Sequence, residues 1–257
     1  MFIVWGKKLK YRKLGYVADF CPICRGLRPF ELIRVGSAGH VYYISFGEGE
    51  LVGYERTCQE CLIALQAEPT VYASIAKKPL PLAELTKLTF PNIDQVLRER
   101  LALEEKVLHA PFTLSPEERH ALIRSPFLLL SQKVEKQFAS THIDKEIGLS
   151  LVGAIGLLIV GPALVHAVSR DVDAGMVVLF FLMLGFLIVA WQVISSGRRF
   201  MRRKVIPVLA TSILPLKPTE TELKAVLSEL KQLGHKMATK LKLVDLQTQL
   251  SQATGEI

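Results

Sequence analysis

Cys21, Cys24, Cys58 and Cys61 are the chain's four cysteines, arranged as two C-x-x-C pairs on either side of residues 25–57. A C-x-x-C segment folds into a tight knuckle that aims two sulfurs at one point. Two knuckles can therefore close a tetrahedral shell of four thiolates around one metal ion. A shell closed in this way leaves no open position for substrate, so the metal expected here is structural zinc, with iron in a similar cage as an alternative. Redox dithiols are a third reading. Thioredoxin-type chemistry needs its C-x-x-C to open a helix within a βαβ unit, and Pro29 and the strand-like sequence that follows argue against that. His40 is a candidate substitute ligand, but it opens an apolar strand and reads as a strand residue.

The elements that must position these sulfurs are short strands. Phe30-Glu31-Leu32-Ile33-Arg34-Val35 and His40-Val41-Tyr42-Tyr43-Ile44-Ser45-Phe46 are rich in strand formers, and Gly36, Gly39, Gly47, Gly49 and Gly53 punctuate them. Gly26, just after the first pair, suits the sharp turn of a knuckle. The expected module is a small antiparallel sheet over residues 1–65 with both knuckles at one end. It is too small to fold on burial alone, so the metal supplies much of its folding energy.

These residues also resemble the zinc-ribbon family. The matching features are Phe2-Ile3-Val4-Trp5-Gly6 before a basic stretch, Cys21-Pro22-x-Cys24, Pro29-Phe30, the Arg34-Val35-Gly36 turn, His40-Val41-Tyr42-Tyr43-Ile44, and Tyr54 ahead of Cys58-x-x-Cys61. The resemblance implies a structural four-cysteine zinc site at Cys21, Cys24, Cys58 and Cys61. It covers about the first 62 residues and names a fold, not a function. Leu62 stands where such domains often carry glycine, and Gly47-Glu48-Gly49-Glu50 replaces an apolar, proline-containing turn.

Half of the 257 residues are hydrophobic and the mean hydropathy is +0.30, although 22% are charged. The apolar residues are concentrated in two runs, 147–168 and 174–194. Neither contains Asp, Glu, Lys or Arg. The first, as a helix, spans roughly 33 Å, enough for a hydrocarbon core of about 30 Å. Residues 169–173 separate the runs, which predicts an antiparallel transmembrane hairpin over 146–195. Lys133, Lys136 and Lys145 precede it and Arg198, Arg199, Arg202, Arg203 and Lys204 follow it, while the connecting loop holds only Arg170. That bias places both termini in the cytoplasm. Gly153, Gly156, Ala163 and Ala167 predict a smooth stripe for the second helix to pack on. Pro162 is tolerated in such a helix, and His166, close to the outer end, reads as reaching headgroups or water.

Helices are expected on both sides of the hairpin. Residues 66–145 begin with the linker Lys77-Lys78-Pro79-Leu80-Pro81. A helix capped by Asn92 or Asp94 then presents Leu97, Leu101, Glu105 and Leu108. Ser115-Pro116-Glu117-Glu118 starts another through a capping box, and Ser125-Pro126 predicts a break before Phe127-Leu128-Leu129-Leu130. Glu104, Glu105, Glu117 and Glu118 read as solvated faces and caps. In the tail, 196–257, the bases from Arg198 to Lys204 suit anionic headgroups. Thr219 and Glu222 form a second capping box, followed by the stripe Leu223, Val226, Leu230, Leu233, Met237, Leu241 and Val244. Gly234 within that stripe favours packing inside the chain over a long coiled coil, though a homo-oligomer stays open.

The fold class predicted is α+β: a small zinc ribbon, cytoplasmic helices, a two-helix transmembrane hairpin and a helical tail. The opening residues are too short for a secretory signal core. No nucleophile elbow, phosphate loop, dinucleotide fingerprint or paired carboxylate stands in the sequence, so no catalytic or cofactor-binding residue is assigned. The function expected is a non-enzymatic, membrane-anchored module that binds a cytoplasmic protein. The net charge of +8 points to an acidic partner. A thiol-based metal or redox sensor is the second class. Nucleic-acid binding, suggested by Tyr11, Arg12 and Tyr16, is the third and the least favoured, because tethering at a membrane makes it rare.

Overall fold

The computed structural model describes residues 5–41, 44–45, 47–139, 145–168 and 174–255. Phe2 to Val4, Tyr42, Tyr43, Phe46 and the loop 169–173 with Arg170 lie outside the described residues, as do the side chains of His40, His166 and Ala167. The fold is α+β. It divides into two compact units, one comprising residues 1–130, 208–226 and 250–257, the other 131–207 and 227–249.

In the first unit, β1 (Trp5–Cys21) and β2 (Gly26–Val41) form a long antiparallel hairpin, closed where Cys21 faces Gly26. β3 (Ile44–Ser45) and β4 (Glu50–Cys58) both pair along the edge of β2 opposite β1, with β5 (Ala64–Gln66) beyond β4. The register sets Phe30 opposite Cys58, so the turns carrying the two cysteine pairs fall at the same end of the sheet. Alternation buries Phe30 and Leu32 completely, while Glu31 and Ile33 between them stay partly exposed. Burying a side chain such as Phe30 contributes about 2 kcal/mol. α1 (Leu82–Thr89) covers this sheet with Leu85, and Thr89 Oγ1 accepts a hydrogen bond from Ala18 N at 2.9 Å.

Tyr16 and Ala76 exchange backbone hydrogen bonds of 2.7 and 3.0 Å. That approach needs Gly15, at which any Cβ would collide with the Ala76 carbonyl and the Ile75 side chain. The bulge in β1 between Lys13 and Gly15 makes this local accommodation.

The helices of this unit differ from expectation in two places. One helix was expected from Asn92 onward. Two form instead, α2 (Ile93–Val96) and α3 (Arg98–His109), joined through Leu97, and Asn92 makes no side-chain cap bond. The buried positions of α3 are Glu104 and Val107, not Glu105 and Leu108. Glu104, read from sequence as solvated, is 4% exposed. The second difference is Pro126. α4 (Pro116–Ala139) runs through it without a break. The proline cannot donate to the Leu122 carbonyl, and an arginine from the turn between β1 and β2 supplies the missing donor (described below).

Both capping boxes form. Ser115 Oγ accepts from Glu118 N at 3.2 Å, and Glu118 Oε2 accepts from Ser115 N at 3.1 Å. In the tail, Thr219 N donates to Glu222 Oε2 at 2.7 Å and Glu222 N donates to Thr219 Oγ1 at 3.3 Å. Glu222 also receives Arg119 Nε at 2.5 Å. Burial alone would raise the Glu222 carboxyl, but Arg119 and Thr219 together hold it down at about 2, against an ordinary 4.5. A folded-state value below the unfolded one stabilises the protein above the unfolded range, and that stability disappears as pH falls towards the folded value. Wild type should therefore lose about 1 kcal/mol more than Glu222→Gln between pH 5 and pH 2, with solvent screening allowed for. Parallel denaturation curves across that window check it.

The tail stripe is buried in Leu223, Val226, Leu230, Met237 and Leu241, whereas Leu233 and Val244 are exposed. α8 (Glu220–Gln232) stops before Gly234, whose backbone is left-handed at φ +79°. α9 (Lys236–Lys240) and α10 (Leu243–Gly255) follow separately. The buried part of the stripe thus lies on α8, on α9 and at Leu241 just after α9, packed inside the chain and interrupted at Gly234.

In the second unit, α5 (Lys145–Val168) and α6 (Ala174–Phe200) pack on one another, and each is long and apolar enough to cross a membrane. Their large apolar side chains, Leu149, Val152, Ile159, Phe180, Phe186 and Trp191 among them, are exposed. α5 runs through Pro162. The packing face is not the expected stripe. Nothing lies within contact of a Cβ placed at Gly153 or Gly156, and Ala163 is exposed. Instead Gly161 lies under the Phe181 ring and Gly185 lies against Ala154. Small residues do line the contact, but it is rotated around the helix from the predicted stripe, because a mostly apolar helix carries no polar face to fix which side turns inward.

α6 also outlasts the expected end at 194. It continues to Phe200, passes into a π turn at Met201–Val205, and resumes as α7 (Ile206–Ile213). Glu146, at the start of α5, pairs with Arg199 at 2.6 Å and with Arg203, tying the start of one apolar helix to the end of the other.

Candidate metal centre

The β1–β2 turn presents Cys21 and Cys24, and the β4–β5 turn presents Cys58 and Cys61. All four Sγ atoms lie within 4.8 Å of one another. Cys21 and Cys61 are 3.6 Å apart across the knuckles, and Cys24 and Cys58 are 3.9 Å apart. Zn–S bonds of about 2.3 Å in a tetrahedron require sulfurs about 3.8 Å apart. The donor set and its spacing therefore fit a single four-thiolate metal ion, and the site residues named from sequence are the ones brought together.

Backbone N–H groups support the sulfurs. Cys24 N donates to Cys21 Sγ at 3.4 Å, and the N–H groups of Glu60 and Cys61 point at Cys58. Around Cys58 the turn is closed by Cys58 N to Ile63 O at 3.0 Å and Leu62 N to Cys58 O at 3.1 Å. Cys21 is pushed up strongly, by its hydrogen bonding to Cys58 and Cys61 and then by burial. Cys24 is raised by burial and by the charge on Cys58. Cys58 collects thiol and N–H donors and falls to about 2. For Cys61, the bond from Cys21 lowers it, but its bonding to Cys58 and its burial win and push it up to about 12. Four packed sulfurs therefore cannot all be thiolates on their own, whereas a divalent cation among them offsets that repulsion.

The two knuckles share a backbone feature. The residue after the second cysteine of each pair is left-handed, Arg25 at φ 52° and Leu62 at φ 57°. Gly26, the position favoured from sequence, is not. Leu62 is the departure noted from the zinc-ribbon pattern, and the knuckle still forms, at a cost of about 1 kcal/mol for a branched side chain in that conformation. Leu62 is 61% exposed, so little packing is lost on truncation. Leu62→Gly should stabilise the sheet unit by roughly 1 kcal/mol, measured as a raised thermal midpoint at unchanged metal content.

Arg25 was not singled out from the sequence. Its side chain is almost wholly buried and makes three contacts within this unit. Nη1 donates to Glu104 Oε2 at 2.9 Å, Nη2 to the Leu122 carbonyl at 3.4 Å, and Nε to the Ser212 carbonyl. Leu122 stands four residues before Pro126, so its carbonyl has lost its helical donor, and Ser212 lies in the last turn of α7, where carbonyls run out of helical donors. Arg100 holds the other oxygen of Glu104 at 2.6 Å. Burial lowers the Arg25 guanidinium below its ordinary value, and Glu104 opposes that shift. The signal available in the sequence was Pro126, which leaves the Leu122 carbonyl in need of a donor.

Beside Cys21, buried Asp19 accepts from Tyr72 Oη at 2.6 Å and pairs with Arg56, which lies over the Phe30 ring. Burial raises the Tyr72 hydroxyl. Arg56 Nη1 also donates to Tyr72 Oη at 3.1 Å, so the acid, the hydroxyl and the guanidinium satisfy one another, with Arg56 Nε left without a partner among the described residues.

Comparison of the chain with protein families, with curated proteins and with solved structures finds no match in any of the three.

Proposed function

We propose that this is a membrane-anchored zinc-ribbon protein, non-enzymatic, that displays a protein-binding sheet on the cytoplasmic face of a membrane. The observation that carries the reading is the closed four-sulfur cluster in a chain that also has two exposed apolar helices of membrane-spanning length. Four thiolates satisfy zinc completely, so the metal's role is to hold the sheet together. α5 and α6 insert as the hairpin, with the Glu146, Arg199 and Arg203 cluster at the cytoplasmic end and the termini on that side. A protein partner is supported by β1, an edge strand whose exposed half carries Lys7, Lys8, Leu9 and Tyr11. Arg12 and Lys13 are engaged with Glu48 and Glu31, and Lys10 with the Gly47 carbonyl, which leaves Lys7 and Lys8 to steer an acidic segment toward the edge.

Two measurements on the full chain test this. Cysteines introduced before Lys133 and after Lys204 should be shielded from an impermeant thiol reagent in intact cells, and one at Val172 labelled; the reverse pattern overturns the orientation. A photo-crosslinker at Leu9 should trap a protein partner, with yield falling several-fold on Lys7→Gln with Lys8→Gln while zinc content is unchanged. A turnover activity that requires the cysteines would sink the non-enzymatic reading.

A further inference from the structure

A cavity of about 330 Å³ opens in the second unit where α6 leaves its apolar stretch. Arg198, Arg202, Lys240 and Lys242 line it against one acid, Asp245. Arg202 and Asp245 satisfy each other through two contacts of 3.1 Å. The remaining three bases are exposed, and among the described residues no acid pairs with them. The apolar part of the lining is Phe138, Ile194 and Met201, and Phe138 is seated against Gly197, where a Cβ would strike its ring. Lys240 Nζ lies 5.6 Å from the centre of that ring.

The cavity also has a direction. Trp191, Ile194 and Arg198 follow at steps of three and four and share one face of α6. Trp191 is 70% and Ile194 75% exposed, so this face passes from apolar surface to positive charge within two turns. That sequence of surfaces matches a phospholipid, with acyl chains along Trp191 and Ile194 and a phosphate among the bases.

We infer that this cavity is a binding site for an anionic phosphate group, supplied by a membrane phospholipid whose acyl chains lie along α6. Arg198, Lys240 and Lys242 hold the phosphate oxygens, and Phe138 and Ile194 close the apolar side. The inference rests on the proposed insertion of α5 and α6.

Trp191 is one of two tryptophans in the chain, so Trp5→Phe leaves it as the sole fluorophore in the full-length protein. The protein is placed in phosphatidylcholine vesicles containing a small fraction of chain-brominated lipid, either phosphatidylcholine or phosphatidylglycerol. The expected result is quenching by the brominated phosphatidylglycerol that corresponds to roughly fivefold local enrichment or more. Lys240→Gln with Lys242→Gln should abolish that excess and leave quenching by brominated phosphatidylcholine as it was, which also shows the variant is folded and inserted. Equal quenching by the two lipids in wild type overturns the site. Absence of quenching by either overturns the membrane reading beneath it. An excess that millimolar inorganic phosphate removes keeps the phosphate chemistry and overturns the lipid as its source.

Discussion

Cys24→Ser should release the metal and unfold the sheet, the largest effect expected of any single substitution in this chain. The sheet's own apolar core is small, and both knuckles at its end are held by sulfurs that repel one another once ionised. Structural zinc contributes apparent binding energies of about 10–16 kcal/mol in zinc-finger peptides, where it is folding energy. Replacing one ligand leaves a shell of three thiolates and a weak hydroxyl. Zinc content per chain should fall to near zero, and proteolysis should cut within residues 5–66 while α5 and α6 stay protected in detergent. A variant that kept a full complement of zinc, or a resistant sheet without it, would contradict the structural role. Fast, reversible disulfide formation with the fold retained would move the site to thiol redox chemistry.

Breaking the Arg25–Glu104 pair should be the next most costly change, at about 3 kcal/mol for Arg25→Gln. Removing one partner of a buried ion pair strands the other, and such losses run to roughly 3–5 kcal/mol. Arg25 also satisfies the Leu122 and Ser212 carbonyls, which glutamine is too short to reach together. Arg25→Lys should fail to rescue, because an ammonium cannot fork towards a carboxylate and two carbonyls at once. Arg100 still holds Glu104 when Arg25 is replaced, which keeps the loss at the lower end of that range, whereas Glu104→Gln takes the carboxylate from Arg25 and Arg100 together and should cost at least as much. The double variant should be less damaging than the sum of the singles, a coupling that a thermodynamic cycle in detergent would measure. Additive losses would mean that the pair is incidental.

What could be read from the sequence was what is local. Cys21 with Cys24 and Cys58 with Cys61 are read from three-residue spacings, and the capping boxes at Ser115 and Thr219 from the residue three positions on. Both apolar helices follow from length and composition. Arg25 was not legible, since its partners lie 79, 97 and 187 residues away. Pro126 was misread as a break because the donor that compensates for it comes from another element. Glu104 was misread because an exposed and a buried glutamate look alike until the facing arginine is known. In the hairpin, small residues were correctly expected at the contact but placed on the wrong side of α5. The left-handed position in each knuckle fell on Arg25 and Leu62, residues no propensity would nominate.

In the proposed protein, four sulfurs from two turns close around one zinc ion. X-ray absorption at the zinc edge, on full-length protein purified from membranes, tests it most directly. The expected spectrum is that of one zinc per chain with four sulfur neighbours at about 2.3 Å and no lighter scatterer among its ligands. Nitrogen or oxygen among those ligands, iron in place of zinc, or protein that is folded and metal-free would contradict it.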